Sequence, residues 1–297
     1  MKKIKKVVLM LRPGDISEFK TFLLTFTSWL IKRKIQVSFL DNDAPRILPL
    51  LNTYSSCVKF CSHEEAYQKK DLILSLGGDG TLLGVARNCT SRSPPVLGIN
   101  LGSLGFMTEF SRAEIFEELS SVLKGNYSFN KIYAHSVSVL EKEQVIFNAF
   151  FINDVVIHKQ DIARLFHLDV EVEKTLVSSF SGDGLIVSTP VGSTAYSLSA
   201  GGPIVHPMVE GIIITPICPH ALGNRPLVIP NKLSIQLHPY IERSSVLLTI
   251  DGQESFPLTK GRWANVFLNK KRYCKLIINP QKNYFSTLKD KFTFGRR

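Results

Sequence analysis

Over roughly the first 126 residues, short apolar runs alternate with stretches whose apolar residues recur at helical spacing. Residues 4–11 form a run of strand length, closed by Arg12-Pro13-Gly14. Asp15 is placed to cap a helix, and Ile16, Phe19, Leu23, Phe26 and Leu30 then mark out one apolar face. Lys32-Arg33-Lys34 ends that helix with the charge its dipole favours. Residues 35–40 read as a second strand. Residues 41–63, with Pro45 and Pro49, read as irregular. Residues 72–76 are a buried strand that runs into Gly77-Gly78-Asp79-Gly80-Thr81, and Leu82, Leu83, Val85 and Ala86 continue at helical spacing. A strand at 95–99 leads into a loop over 100–106. Ser111 and Glu114 have capping-box spacing for a helix through Leu123 that Gly125 can end. This alternation predicts a parallel sheet with right-handed crossovers. Ligands gather at the carboxyl ends of such strands, where the glycine turn and the 100–106 loop both fall.

From about Tyr127 to Lys275 the helical spacing nearly vanishes. Short β-rich runs replace it at 135–140, 145–152, 155–158, 168–172, 184–188, 212–215, 232–237 and 246–250, the mark of an all-β domain. Asp251-Gly252, between 246–250 and 254–258, is a hairpin signal. The pattern divides the chain into an α/β domain over 1–126 and a β-rich domain over 127–275, followed by a basic tail at 276–297. There is no internal repeat and no low-complexity segment.

Composition adds little to this division. With 44% hydrophobic and 21% charged residues, the 297-residue chain is an ordinary globular protein large enough for two domains. Its net charge of +11 raises nucleic acid or a membrane surface as partners. The basic residues are scattered, however, and cluster only at the two ends, with no aromatic-rich basic stripe and no zinc-finger spacing. The charge is therefore read as a solvated surface that attracts anionic substrates, with no nucleic-acid partner. Five cysteines, odd in number and irregularly spaced, are read as reduced thiols. No signal-peptide pattern is found, and the longest apolar stretch, 21–31, is too short for a membrane span. The expectation is a cytoplasmic protein with no membrane partner.

The glycine turn is the first candidate for chemistry. Strand, glycine turn and helix bring backbone N–H groups up to phosphate, and three glycines in four positions admit close approach. Asp79 is out of place beside an anion unless it acts as a base or a metal partner; the alternative is that it only N-caps the helix. In the β-rich region Asn153-Asp154 offers an amide edge and a carboxylate, or a plain turn. Ser181-Gly182-Asp183-Gly184 taken alone is an ordinary turn. Thr189 to Pro203 packs hydroxyls, small residues and Tyr196 between glycine turns. It suits a flat polar ligand, or simply forms a capped loop and short helix. Walker A, GxSxG, HExxH and GxGxxG patterns are all absent.

Taken in order, GGDGT, Asn-Asp, GDGLIVSTPVGSTAYSLSAGGPI, PHALGNRPLVIP and DGQ resemble the NAD kinases of the bacterial polyphosphate/ATP type, over roughly Leu72 to Gln253. GGDGT alone is shared with lipid kinases of the diacylglycerol and sphingosine kind; GDG followed by TPxGSTAYSLSAGGP is far more specific. The resemblance implies a Rossmann- or flavodoxin-like α/β domain, to which the 276–297 tail returns, and a β-sandwich-like C-terminal domain. It implies transfer of a phosphoryl group from ATP, or polyphosphate, to the adenosine-ribose 2′-hydroxyl of NAD, giving NADP. It further implies Mg2+ or another divalent metal held mainly by the ATP phosphates, and a homodimer or homotetramer. Asp79 would accept the ribose proton, while Gly77, Gly78, Gly80 and Thr81 hold phosphates. Asp79 and Gly80 would also contact NAD, together with Asn153, Asp154, Arg164, Asp183, Thr194, Ala195, Tyr196, Ser197, Leu198 and Ser199. Ala221 and Gln253 would complete the pocket.

The chain departs from the family pattern at Gly84 and Ser181, where relatives carry basic residues, at Val191 for the usual Thr, and at Asp154, where Glu is frequent. The two lost positive charges are expected to weaken phosphate contacts. Two other classes share some of these features. A lipid kinase would want an acyl-chain groove, and a non-catalytic dinucleotide sensor would not need Asp79.

Overall fold

The computed structural model describes residues 3–102, 105–160, 166–221, 223–241 and 246–292. The chain forms two units, one of Met1–Ile132 with Lys271–Arg297 and the other of Tyr133–Lys270.

The first unit alternates strands and helices. In chain order these are β1 (Lys6–Leu11), α1 (Lys20–Lys32), β2 (Gln36–Leu40), α2 (Ala44–Leu51), β3 (Val58–Cys61), α3 (His63–Gln68), β4 (Leu72–Gly77), α4 (Asp79–Asn88), β5 (Val96–Asn100), β6 (Phe110–Ser111) and α5 (Ile115–Leu123). The strands are parallel in the order β3-β2-β1-β4-β5, with β6 also pairing β5. The one-residue pairing of Leu276 with Val96 brings the end of the chain beside β5. β4 is buried along its whole length, as expected of a central strand of a parallel sheet. The apolar face of the first helix behaves as its spacing predicts: Ile16, Phe19, Leu23, Phe26 and Leu30 are all buried. Gly125 ends α5 with φ +94°, a conformation that favours glycine.

Two expectations fail here. Asp15 does not cap the helix; its carboxylate accepts the Ser17 N–H at 3.0 Å in a local turn. Residues 41–63 are not irregular but contain α2 and β3 with 3-10 turns. Pro45 is tolerated because it falls in the first turn of α2, where its missing N–H costs nothing.

The second unit contains two sheets over one core. Its strands include most of β7 (Phe129–Glu141), then β8 (Gln144–Phe151), β9 (Asp154–Lys159), β10 (Phe166–Val172), β11 (Thr175–Gly182) and β12 (Gly184–Ser188). After the one-turn helix α6 (Tyr196–Ser199) come β13 (Gly211–Ile217), β14 (Leu227–Pro230), β15 (Ile235–Tyr240), β16 (Val246–Ile250), β17 (Glu254–Leu258) and the start of β18 (Arg262–Ile277). One sheet runs β11-β10-β15-β18, with the β7–β8 hairpin joined through β18; the other is antiparallel, β14-β13-β12-β9-β16-β17. Val139, Phe151, Phe166 and Leu237 from the first sheet and Ile157, Val187, Ile214 and Leu248 from the second belong to one buried cluster. Asp251-Gly252 makes the expected hairpin, with Ile250 opposite Glu254 and positive φ at both turn residues. After β18 comes α7 (Tyr284–Phe292), which belongs to the first unit. Among the described residues no helix is long and apolar enough to cross a membrane.

Candidate functional site

The glycine turn follows β4. Gly78 is the N-cap of α4 and supplies no side-chain cap, and Asp79 is the first helical residue. A Cβ on Gly78 or Gly80 would meet nothing within 4 Å, so both face open space. The first N–H groups of any helix lack intrahelical partners and carry the positive end of its dipole. This end of α4 therefore suits phosphate. Gly77 is more closely packed: a Cβ there would collide with the Thr81 side chain, which lies over it.

Asp79 does not cap its own helix. Its Oδ2 accepts the Phe106 N–H at 2.7 Å, and its Oδ1 accepts the N–H groups of Met107 at 3.1 Å and Thr108 at 2.9 Å. The Thr108 hydroxyl also donates to Oδ1, at 2.9 Å. The loop after β5 thus closes on the carboxylate, and Gly105 permits this, since a Cβ there would collide with Oδ1. Asn100, at the end of β5, donates from Nδ2 to Thr108 Oγ1 at 3.0 Å and accepts the Gly102 N–H at 2.7 Å.

The second unit contains a pocket of about 680 Å3 lined by Asn153, Asp154, Asp183, Ala195 and Tyr196, all named by the sequence. It also takes in Val156, His158, Lys159, Gln160, Ile217, Thr249, Asp251 and Gly252. The Thr189–Thr194 segment lies directly on the Asn153 turn. Thr189 N–H donates to the Asn153 carbonyl at 2.8 Å, Thr189 Oγ1 donates to the Ile152 carbonyl at 2.6 Å, and a Cβ on Gly192 would overlap the Asn153 backbone. Asp251 accepts the N–H groups of Ile152, Asn153 and Asp154 at 3.1, 2.8 and 3.1 Å. One carboxylate thereby fixes three consecutive residues at the pocket wall.

The electrostatics of this pocket are uneven. Burial, with the Asp251 charge beside it, raises the Asp154 carboxyl to about 7. Asp183 is salt-bridged to Lys159 at 2.7 Å, and this ammonium holds its carboxyl below the ordinary value. The Asn153 Oδ1 is buried with no hydrogen-bond partner among the described residues. An unsatisfied buried acceptor on a pocket wall is the kind of group that a ligand donor completes.

The other residues named by the sequence lie elsewhere. Ser197 is fully buried and its hydroxyl is 2.9 Å from that of Thr215, because the one-turn helix α6 points it inward. Thr194, Leu198 and Ser199 flank Tyr196 without lining the pocket, and Ala221 and Gln253 are exposed. Arg164 lies outside the described residues. The sequence reading missed His158, Lys159, Thr249 and Asp251. Strand alternation offered one signal: with 155–158 read as a strand, residues 154, 156 and 158 fall on one face.

Family comparisons agree with this geometry. Residues 32–127 match the family model described as the ATP-NAD kinase N-terminal domain, and residues 152–277 match that of the ATP-NAD kinase C-terminal domain. The chain belongs to the NAD kinase family. As a member of the NAD kinase family it is an enzyme, a kinase. It is 39% identical over 269 residues to an NAD kinase of Geotalea daltonii, covering 91% of this chain and 92% of that one. It is 42% identical over 227 residues to an NAD kinase of Geobacter sulfurreducens, covering 76% and 80%. Its fold is similar to that of yeast NADH kinase in complex with NADH, with TM-score 0.87 and 25% identity over 100% of this chain and 89% of the other. An NAD kinase from Archaeoglobus fulgidus in complex with ATP has the same fold, with TM-score 0.73 and 23% identity over 96% and 98%.

Proposed function

We propose that this NAD kinase family member transfers the γ-phosphoryl group of ATP to the 2′-hydroxyl of the adenosine ribose of NAD, giving NADP. The place of Asp79 carries the reading. It opens α4, beside N–H groups and open glycines suited to phosphate, and its Oδ2 receives one donor where Oδ1 receives three. In the step the ribose 2′-oxygen bonds to the γ-phosphorus, and the bond from that phosphorus to the β–γ bridging oxygen breaks. The 2′-hydroxyl proton passes to Asp79 and ADP leaves. Such a transfer is mostly positioning and charge neutralisation, so one held carboxylate and a phosphate-binding turn suffice.

On this reading Gly77, Gly78, Gly80 and Thr81 serve the phosphates, and NAD rests against Asn153, Asp154, Asp183, Ala195 and Tyr196, with Arg164 as a further contact. Thr194, Ser197, Leu198 and Ser199 hold Tyr196 in place, and Ala221 and Gln253 act from a neighbouring subunit of a homodimer or homotetramer. The exposed Leu227 and Val228 on edge strand β14 support such an assembly. Five free thiols fit a cytoplasmic enzyme. A divalent cation, Mg2+ or a similar hard ion, would neutralise phosphate charge when bound. On this reading the cation is carried mainly by the ATP phosphates.

The test is NADP formation from NAD, ATP and Mg2+ by the wild type and by Asp79→Asn. A loss of roughly 100-fold or more is expected in the variant, the scale of a general base. No product from the wild type with either ATP or polyphosphate would overturn the reading. Full activity in both proteins would leave the reaction standing and remove Asp79 from its role.

A further inference from the structure

The bonds around Asp79 are distributed with a bias that the proton-transfer role alone does not require. Oδ1 takes three donors, the N–H groups of Met107 and Thr108 and the Thr108 hydroxyl, whereas Oδ2 takes only the Phe106 N–H. A carboxylate oxygen has two lone-pair directions. Oδ1 is therefore saturated and Oδ2 retains a free lone pair.

The hydroxyl bond has a direction, and Asn100 sets it. The Gly102 N–H donates to Asn100 Oδ1 at 2.7 Å, which leaves the amide nitrogen facing Thr108. Asn100 Nδ2 is a donor and occupies the Thr108 hydroxyl as an acceptor at 3.0 Å. The hydroxyl proton is left for Asp79 Oδ1. Asn100 and Thr108 are 3% and 0% exposed, so water does not compete for these groups.

We propose that Thr108 and Asn100 are positioning residues for the phosphoryl transfer: through the ordered chain Gly102 N–H to Asn100 to Thr108 to Asp79 Oδ1, they clamp one carboxylate oxygen and leave Oδ2 to take the ribose proton. The proposal rests on the kinase reading above. It adds that the acceptor is one defined atom, held by two buried residues that act through Asp79. Losing a hydrogen bond to a charged group is felt most where that group must be in one orientation when the proton moves. The effect therefore belongs in kcat, with substrate affinity untouched.

The experiment measures kcat and both KM values for Thr108→Val, Thr108→Ser and Asp79→Asn in the full-length enzyme, with thermal unfolding of each. Thr108→Val keeps the shape of the side chain and removes the donor. A fall in kcat of about 10- to 100-fold is expected, with the KM values for NAD and ATP within about twofold of wild type. Thr108→Ser restores the hydroxyl and is expected to recover most of the rate, which a packing role for the threonine methyl would not allow. Should Thr108→Val fail to fold, Thr108→Cys, which keeps a γ atom but is a weak donor, is read in the same way. Wild-type kcat in the folded Val or Cys variant beside an inactive Asp79→Asn would overturn this inference and spare the kinase reading. So would equal losses in the Ser and Val variants. Wild-type activity in Asp79→Asn would overturn this inference and remove Asp79 from its role while leaving the reaction standing, and no NADP from the wild type would overturn the kinase reading itself.

Discussion

Asp251 accepts the backbone N–H of Asp154 at 3.1 Å, and in doing so sets a second buried carboxylate beside the Asp154 side chain. Burial first, and this neighbouring charge second, raise the Asp154 carboxyl from 3.8 to about 7. The folded chain thus holds that proton more tightly than the unfolded chain does. The Asp154 contribution to stability is full below the unfolded value, falls as pH rises from about 4 to about 7, and is reduced above that by on the order of 4 kcal/mol. Asp154→Asn is expected to raise Tm at pH 8 and to remove this downward limb, leaving only the rise with pH that His135 gives, while raising KM for NAD. Thermal unfolding from pH 4 to 8 beside NAD kinetics tests both, and an unchanged or lowered Tm at pH 8 would contradict the account.

Removing Asp251 has a different effect. Asp251→Ala strips the acceptor from three backbone N–H groups at Ile152, Asn153 and Asp154. Leaving buried donors unpaired costs about 1–3 kcal/mol each when nothing replaces the acceptor, part of which is offset as the pressure on Asp154 is relieved. Asp251→Asn keeps one acceptor oxygen without the charge and should be the milder change. The expected order is wild type and Asn variant close together, the Ala variant several degrees lower in Tm and with KM for NAD raised about tenfold. Denaturant unfolding and initial-rate kinetics measure it.

His135 makes the acid limb. It is 3% exposed, faces Phe151 with ring centroids 5.5 Å apart, and neither ring nitrogen has a partner among the described residues. Burial lowers it from 6.5 to about 4. Here the unfolded chain takes the proton more readily. The neutral ring's contribution is complete above about pH 6.5 and is lost as pH falls towards 4, by about 3 kcal/mol. His135→Phe should keep the ring contact and remove this limb, so that the opposing Asp154 effect shows and stability falls as pH rises from 4 to 6.5. Urea midpoints across that range provide the check.

Two glycines of the first unit should respond in opposite ways. A Cβ on Gly105 runs into Asp79 Oδ1 and Thr108, so Gly105→Ala must push the 105–108 segment away from the carboxylate. A loss of about 100-fold in kcat and a lowered Tm are expected. A Cβ on Gly78 meets nothing within 4 Å, and its φ of −105° is open to any residue. Gly78→Ala should leave Tm unchanged and raise KM for ATP, because only a ligand needs that space. A drop in Tm for Gly78→Ala would remove the argument.

Periodicity made legible whatever packs locally. Leu23, Phe26 and Leu30 are buried at the spacing that named them, and β9, β12, β13 and β16 fall on the apolar runs that predicted them. Sequence failed where pairing overrides pattern. β11 exposes Leu176 and Val177 and buries only Phe180 and Gly182 among polar neighbours, so no apolar alternation marks it. β18 runs through Lys270, Lys271 and Arg272, charges that no apolar-run rule would carry a strand across. At the site, Asp79, Asn153, Asp154 and Tyr196 were legible because they sit in dense local motifs. Asn100 and Thr108 were not, because their meaning is a contact with Asp79 made by chain closure across more than twenty residues. Asp251 was legible only as a hairpin turn. Its three backbone bonds reach residues nearly a hundred positions earlier, and no local pattern encodes them.

The first unit draws on both ends of the chain, with Lys271–Arg297 joining Met1–Ile132 only after Tyr133–Lys270 has been made. During synthesis at about 5–20 residues per second, that interval lasts roughly ten seconds. Throughout it the Asn279 N–H that Glu109 accepts at 2.6 Å and the ring of Phe292 that stacks on Phe106 do not yet exist. Phe106 is the residue whose N–H holds Asp79 Oδ2. A chain cut before Lys271 therefore carries the glycine turn and Asp79 but lacks the aromatic contact behind the segment that holds this carboxylate.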